Sequence, residues 1–195
     1  ERSKRDQITL FYGSGTKAHK DDFHEIIAPV FTRLHQHYGD KIRFLVLGHI
    51  TMTPALLALG DNLQLQEPLW DTEDYWTLLR DEADINLSVL SSTRVTDAKS
   101  EIKWLEAAMF GIPSVVSRTA THAEIIEDGE TGFLCEKSDE FVEAIRQLID
   151  SKKRRQAVGT AARDAAFAGY SIDAMANTIR EIMTGFERPD DKIAR

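Results

Sequence analysis

Residues 112–117, Ile-Pro-Ser-Val-Val-Ser, form a nearly continuous apolar run that starts directly after Gly111. A strand with one wet face alternates apolar and polar side chains, so a run of this kind belongs to a strand covered on both faces. Layers of helix on either side of a sheet supply that cover. The preceding segment, 101–110, reads as a helix stopped by Gly111. The same unit recurs along the chain. Apolar or β-branched runs at 8–12, 42–47, 63–65, 84–90 and 132–134 read as further strands, and in 84–90 Ile85, Leu87 and Val89 alternate. Helical periodicity fills 21–37, 71–80 and 122–127, then a stretch from Ser138 to 149. Two more helices between 151 and 185 break near Gly169-Tyr170-Ser171. Strands alternating with helices through short connections imply a doubly wound α/β domain, a parallel sheet flanked by helices. It spans residues 1–185 with its C-terminal helices from about 151, and 186–195 reads as a frayed tail.

Local signals refine this reading. Phe23, Ile26, Ile27, Val30, Phe31 and Leu34 share one helical face, with Pro29 inside it as a kink. Asp71 reads as an N-cap, Thr121 as an N-cap paired with Glu124, and Ser138 as a third cap. Trp70, Trp76 and Trp104 read as core, and Cys135 as a small hydrophobe.

Composition bounds the function classes. The 195 residues suffice for one core, and a single cysteine excludes an internal disulfide framework. The apolar runs are too short for a membrane span. The formal net charge of −8 opposes a general nucleic-acid binder. That charge is uneven: residues 61–90 carry eight acidic and one basic residue, whereas the last 45 carry nine basic and six acidic. The basic part suits an anionic membrane surface or a plain solvated helix. The chain begins at Glu1 and reads as an excerpt or a processed product.

Parallel sheets hold ligands beyond the C-terminal ends of their strands. Gly13-Ser14-Gly15-Thr16 follows the first strand, with His19 and Lys20 just beyond. Small residues let backbone amides approach an anion. The spacing is neither the dinucleotide fingerprint nor a Walker loop, so a plain turn and a phosphate loop both fit. The stretch 90–100 carries hydroxyls together with Arg94 and Lys99. A helix opening near Lys99, Ser100 and Glu101 leaves amides without intrahelical partners, which suits a phosphate. Lys103 adds positive charge there. A solvated polar loop is the alternative. Glu106, among apolar neighbours, is either a surface carboxylate or an acceptor for ribose hydroxyls. His122 and Glu124 stand at a strand's C-terminal end, where a site role stays open. The six histidines and one cysteine are scattered without metal-ligand spacing, and no H-E-x-x-H or G-x-S-x-G occurs.

Three stretches in order carry a resemblance: 83–88 (ADINLS), 99–117 (KSEIKWLEAAMFGIPSVVS) and 124–134 (EIIEDGETGFL). Together they resemble the C-terminal, nucleotide-sugar-binding domain of two-domain GT-B glycosyltransferases of the family 4 type, in particular a bacterial polysaccharide-synthesis subset. The likeness runs over residues 8–184. It implies a Rossmann-like half of GT-B. It implies ribose binding by Glu106 and base contacts along Gln66, Glu67 and Pro68. Diphosphate and sugar would fall to Gly13, Ser14, Gly15, Thr16, His19, Lys20, Lys99, Ser100 and Glu101, with Lys99 and Glu106 in catalytic roles. The family has a further glutamate near the donor sugar, and Ala98 stands at that position.

The implied activity is transfer of a sugar from a UDP- or GDP-linked donor to a hydroxyl acceptor, with retention of configuration, in polysaccharide or glycoconjugate synthesis. No cofactor and no bound metal are implied. A saccharide or lipid-linked acceptor would bind an N-terminal domain absent from this chain, leaving the isolated domain inactive. The expected location is cytoplasmic, with peripheral contact at the inner face of the membrane. Ala98 keeps a second reading open, a catalytically degenerate nucleotide-sugar-binding or regulatory module. An NAD-dependent oxidoreductase fits poorly, for want of the glycine fingerprint and a ribose-binding acid after the second strand.

Overall fold

A computed structural model describes residues 7–14, 20–91, 93, 95–97 and 99–185. Six strands form one sheet: β1 (Ile8–Gly13), β2 (Ile42–Leu47), β3 (Leu63–Gln66), β4 (Ile85–Ser88), β5 (Ser114–Ser117) and β6 (Phe133–Cys135). Their order is β3-β2-β1-β4-β5-β6, and every pairing is parallel. The doubly wound α/β architecture read from the sequence is therefore the observed one. The winding reverses between β1 and β4, where a sheet of this order opens a crevice at its C-terminal edge.

The helices are α1 (Lys20–Asp22), α2 (Ala28–Tyr38), α3 (Pro54–Leu57), α4 (Thr72–Glu82), α5 (Ile102–Met109), α6 (Ala120–Ile125), α7 (Ser138–Asp150), α8 (Lys152–Tyr170) and α9 (Ile172–Gly185). Strand alternation divides the core between the two faces of the sheet. Leu10, Tyr12, Phe44, Val46, Ile85 and Leu87 pack with Phe31 of α2 and Phe141 of α7. Phe11, Leu45 and Leu47 face the other way, onto Leu79 of α4 and Ala107 of α5. On that second face Val116 and Leu134 meet Trp104, Ala108, Ala162 and Ala166.

Several local readings shift by a residue or more. The helix read over 21–37 is interrupted by a π turn at Phe23–Ile27, closed by the Ala28 N–H on the Phe23 carbonyl. Pro29 then falls in the first turn of α2, where no intrahelical N–H is required. α6 begins at Ala120, so Thr119 rather than Thr121 is its cap, accepting from the His122 N–H at 3.2 Å. Thr121 lies inside the first turn and donates instead to the Asp97 carbonyl at 3.0 Å. Ser138 is the first residue of α7, and the Glu140 carboxylate closes that end by accepting from the Glu136 N–H at 2.7 Å. β4 ends at Ser88, because the Leu90 N–H turns to the Ser117 hydroxyl at 2.9 Å.

The three tryptophans have three different fates. Trp104 is core, 1% exposed, with its indole N–H on the Thr131 carbonyl at 2.9 Å. Trp76 is half-buried. Trp70 is 82% exposed in the loop ahead of α4, beyond the reach of either core layer, which corrects the core reading. Along α9, Ile172, Met175, Ile179, Ile182 and Met183 are exposed. Among the described residues no helix is long and apolar enough to cross a membrane. The tail 186–195 lies outside the described residues.

α8 packs against the turn between α5 and β5 so closely that a Cβ at Gly159 would stand 2.1 Å from the Gly111 carbonyl oxygen. Backbone meets backbone there, and no side chain can yield. Gly159→Ala is expected to destabilise the domain by about 1–3 kcal/mol or more, the range for overpacking a tight core. Urea denaturation checks this, and an unchanged midpoint would contradict the contact.

Candidate functional site

The site is assembled at the C-terminal edge of the sheet. Gly48 follows β2 with φ +142°, and a Cβ there would sit 2.8 Å from the Ser14 carbonyl oxygen. Glycine allows the loop after β1 to close onto the end of β2. The Ser14 N–H bonds the Leu47 carbonyl at 2.8 Å, and the Gly48 N–H bonds the Gln66 carbonyl at 3.0 Å. The ends of β1, β2 and β3 are thereby stitched together.

The segment after β4 is wound around Thr96. Its hydroxyl donates to the Ser91 carbonyl at 2.6 Å and accepts from the Thr93 N–H at 2.7 Å. The Lys99 N–H reaches the Thr96 carbonyl at 3.2 Å. Ser91 is tied by its hydroxyl and its N–H to the Asp22 carboxylate of α1. These bonds, with that of Thr121 to Asp97, set Lys99 and Ser100 at the mouth of the crevice.

α5 is fixed from below. Asn86, buried in the middle of β4, donates to the Lys103 carbonyl at 3.1 Å and to the Ser114 hydroxyl at 3.0 Å. No side chain caps the start of α5. The Trp104 N–H is taken by the Glu101 carbonyl at 2.9 Å, and the Ile102 and Lys103 amides ahead of it, without intrahelical acceptors, remain available to an anion.

Two clefts open side by side on this edge. The first, of about 190 Å³, runs from Ser14 and Leu47 past Pro68, Trp70 and Tyr75 to Glu106. The second, of about 260 Å³, is lined by Gly13, Ser14, Leu90, Lys99, Ser100 and His122 among others. Ser14 and Lys103 line both. The Lys103 ammonium lies 3.1 Å from the Tyr75 hydroxyl, 4.5 Å from the centre of its ring and 3.7 Å from Glu106. Burial pushes the lysine pKa below its ordinary value, against the opposing pull of Glu106. Burial and the charge of Glu106 raise that of Tyr75. Glu106 Oε1 accepts from the Trp76 indole at 3.3 Å. Its Oε2 is buried and has no hydrogen-bond donor among the described residues. It is the oxygen that faces the Lys103 ammonium at 3.7 Å, and it retains lone pairs that a hydroxyl can use.

The structure thus brings Gly13, Ser14, Lys99, Ser100, Pro68 and Glu106 to this edge. Gln66 and Glu67 line a separate recess of about 530 Å³, where Glu67 lies 3.4 Å from His49. Glu101 lines neither cleft, and its carboxylate accepts from the Tyr170 hydroxyl at 2.5 Å, joining the start of α5 to α8. Gly15, Thr16 and His19 lie outside the described residues, as does Ala98, and of Lys20 only the backbone is described. From the sequence, Lys103 reads only as extra charge. Its spacing of three from Glu106, which puts both on one helical face, was the available signal. Asn86 and Tyr75 had none, because their roles depend on contacts 17 and 28 residues away. Among the described residues no cluster of His, Cys, Asp or Glu could hold a metal ion.

This sheet order, with helices on both faces and a cleft at the switch point, is that of the C-terminal domains of GT-B glycosyltransferases. Anabaena HepE, crystallised with UDP and glucose, superposes with a TM-score of 0.73 at 14% identity, over 93% of this chain and 49% of that one. S. aureus TarM, in complex with fondaparinux, α-GlcNAc-glycerol and UDP, gives 0.69 at 16% identity, over 93% and 36%. The C-terminal domain of LpcC from Francisella tularensis, a glycosyl transferase group 1 family protein, gives 0.66 at 17% identity, over 88% and 95%. The chain spans about half the length of HepE. No curated protein matches it. A family model for glycosyl transferase-like domains matches residues 24–181, and the chain belongs to that family.

Removing the Asn86 carboxamide would leave the buried Ser114 hydroxyl without its donor and take from the Lys103 carbonyl its link to the sheet. Asn86→Ala is expected to cost about 1–3 kcal/mol, the penalty for a buried polar group left unpaired. Chemical denaturation measures this, and a loss near zero would show that α5 is held by packing alone.

Proposed function

We propose that this chain is the donor-binding domain of a retaining glycosyltransferase of the family 4 type. The observation that carries the reading is the pair of clefts joined at Ser14 and Lys103, with a buried Glu106 oxygen that makes no hydrogen bond and pairs only with the Lys103 ammonium at 3.7 Å in the first, and Lys99 and Ser100 in the second. A nucleoside sits in the first cleft, its ribose hydroxyls on Glu106 and its base against the Pro68–Trp70 rim. The diphosphate crosses Lys103 to the start of α5, and the sugar enters the second cleft. Lys99, Lys103 and the unpaired amides of α5 offset the charge that develops on the departing diphosphate. The crystal complexes of HepE with UDP and UDP-glucose support a uridine donor, with a guanosine donor as the alternative. The acceptor, a saccharide or lipid-linked saccharide of a polysaccharide or glycoconjugate pathway, binds a second domain supplied outside this chain. The isolated domain holds donor without transferring it, and its place is the cytoplasm, with peripheral contact at the membrane.

Ala98 favours one other reading, a module that keeps the nucleotide sugar and has lost transfer. Both readings predict donor binding. They part on whether the full-length protein releases nucleoside diphosphate in the presence of acceptor.

Calorimetric titration with UDP, GDP and ADP tests the shared claim. Glu106→Ala should weaken the bound nucleoside diphosphate about tenfold or more, as expected for lost hydrogen bonds to a charged group. Inorganic pyrophosphate should bind almost unchanged, and an equal loss of both would refute the ribose role.

The depressed pKa of Lys103 adds a pH dependence. The ammonium is present below that pKa and lost above it, so nucleoside diphosphate affinity should fall on alkaline titration before pH 10.5, the ordinary lysine value. Lys103→Arg should remove that fall, since guanidinium stays charged throughout. A parent and a variant with superimposable profiles would exclude Lys103 as the phosphate cation.

A further inference from the structure

His122 is 2% exposed and yet lines the second cleft beside Lys99, Ser100 and Lys103. Its orientation is set by the sheet. Nδ1 lies 2.8 Å from the carbonyl of Ser117, the last residue of β5. A carbonyl only accepts, so Nδ1 carries the proton. The His122 backbone N–H is held by Thr119, which fixes the turn that carries the ring.

Burial pushes the His122 pKa below the ordinary histidine value, with the Ser117 carbonyl and the charge of Glu101 acting the other way. At neutral pH the ring is therefore uncharged, and Nε2 bears a lone pair. Among the described residues Nε2 has no hydrogen-bond donor. Unlike Glu106 Oε2, this nitrogen is not sealed away from solvent, so a donor group entering the cleft can reach it.

The chemistry of that group follows from its surroundings. Lys99, Lys103 and the start of α5 attract anions. A phosphate oxygen is an acceptor, as Nε2 is, and the two repel. A hydroxyl can donate to Nε2 while its own oxygen accepts from a neighbouring ammonium or serine. We infer that His122 Nε2 accepts a hydrogen bond from a hydroxyl of the donor's sugar in the second cleft, and so helps decide which sugar is held. This rests on the donor-site reading above and assigns a specificity-determining residue to it. His122 takes no part in the diphosphate contacts.

The test uses His122→Asn. The asparagine amide can still donate to the Ser117 carbonyl, but nothing then occupies the Nε2 position. The parent chain and the variant are titrated with UDP and with UDP-glucose, or with GDP and GDP-mannose if GDP is the nucleotide the parent binds. The variant should bind the free diphosphate within twofold of the parent and the sugar nucleotide at least tenfold more weakly. Among deoxy-sugar analogues, one should bind the parent weakly and show no further loss in the variant. Equal weakening of diphosphate and sugar nucleotide, or retained affinity for both, overturns the assignment.

A second measurement does not depend on the variant folding. With 15N-labelled histidine in the parent, the His122 Nε2 resonance should move on addition of UDP-glucose and stay in place with UDP. A resonance indifferent to the sugar overturns the inference and leaves the donor site standing. A parent that binds none of the three nucleoside diphosphates removes both.

Discussion

Every strand of this sheet runs the same way, and that constraint governs where chemistry can occur. Helices cover both faces, so β4 and β5 are buried throughout, and their polar side chains Asn86, Ser114 and Ser117 are hydrogen-bonded within the fold. Polar groups with a ligand role are driven to the strand ends. Parallel pairing puts all the C-terminal ends on one edge. The reversal of winding between β1 and β4 separates the loops there. Ser14, after β1, and Lys99 and Ser100, after β4, face each other across that gap for this reason.

α5 translates the constraint into a site. Trp104, Ala107 and Ala108 bury one side of the helix against the second face of the sheet. Asn86 holds its first turn from beneath, through a hydrogen bond to the Lys103 carbonyl. The opposite side carries Lys103 and Glu106 one turn apart, and these close the first cleft together with Tyr75. The lysine is buried enough to lose part of its preference for charge, and Glu106 restores part of it. The same short helix therefore presents a cation, a carboxylate oxygen without a donor and free amides within a few ångströms. That combination matches a ligand with hydroxyls at one end and phosphates in the middle.

Much of this was legible along the chain. The apolar run at 112–117 and the alternation of strands and helices announced the sheet. The block from Lys99 to Ser117 announced the helix that carries Glu106. The errors have common physical causes. Caps moved from Thr121 to Thr119 and from Ser138 to the residue before it because a cap is defined by where the backbone turns, which side-chain chemistry alone does not specify. Trp70 reads as core because large aromatics usually are, yet its loop lies past the end of the sheet. Glu101, adjacent to the ligand loop in sequence, also accepts from Tyr170, a residue 69 positions further on, a contact that no local pattern announces.

Hydrophobic periodicity and the spacing of turn residues are local quantities, and they determined the elements, their order and the layered architecture of this protein. They also placed Lys99 near a strand's end, whereas the role of Glu106 rested on the resemblance. Only the tertiary structure decided that Lys103 and Ser14 belong to two clefts at once, that Asn86 anchors the site helix, and that His122 is buried with one nitrogen occupied and the other open. Those properties depend on which distant carbonyl or hydroxyl comes within hydrogen-bonding reach. Reach is a matter of a few ångströms in space, and no interval along the chain encodes it.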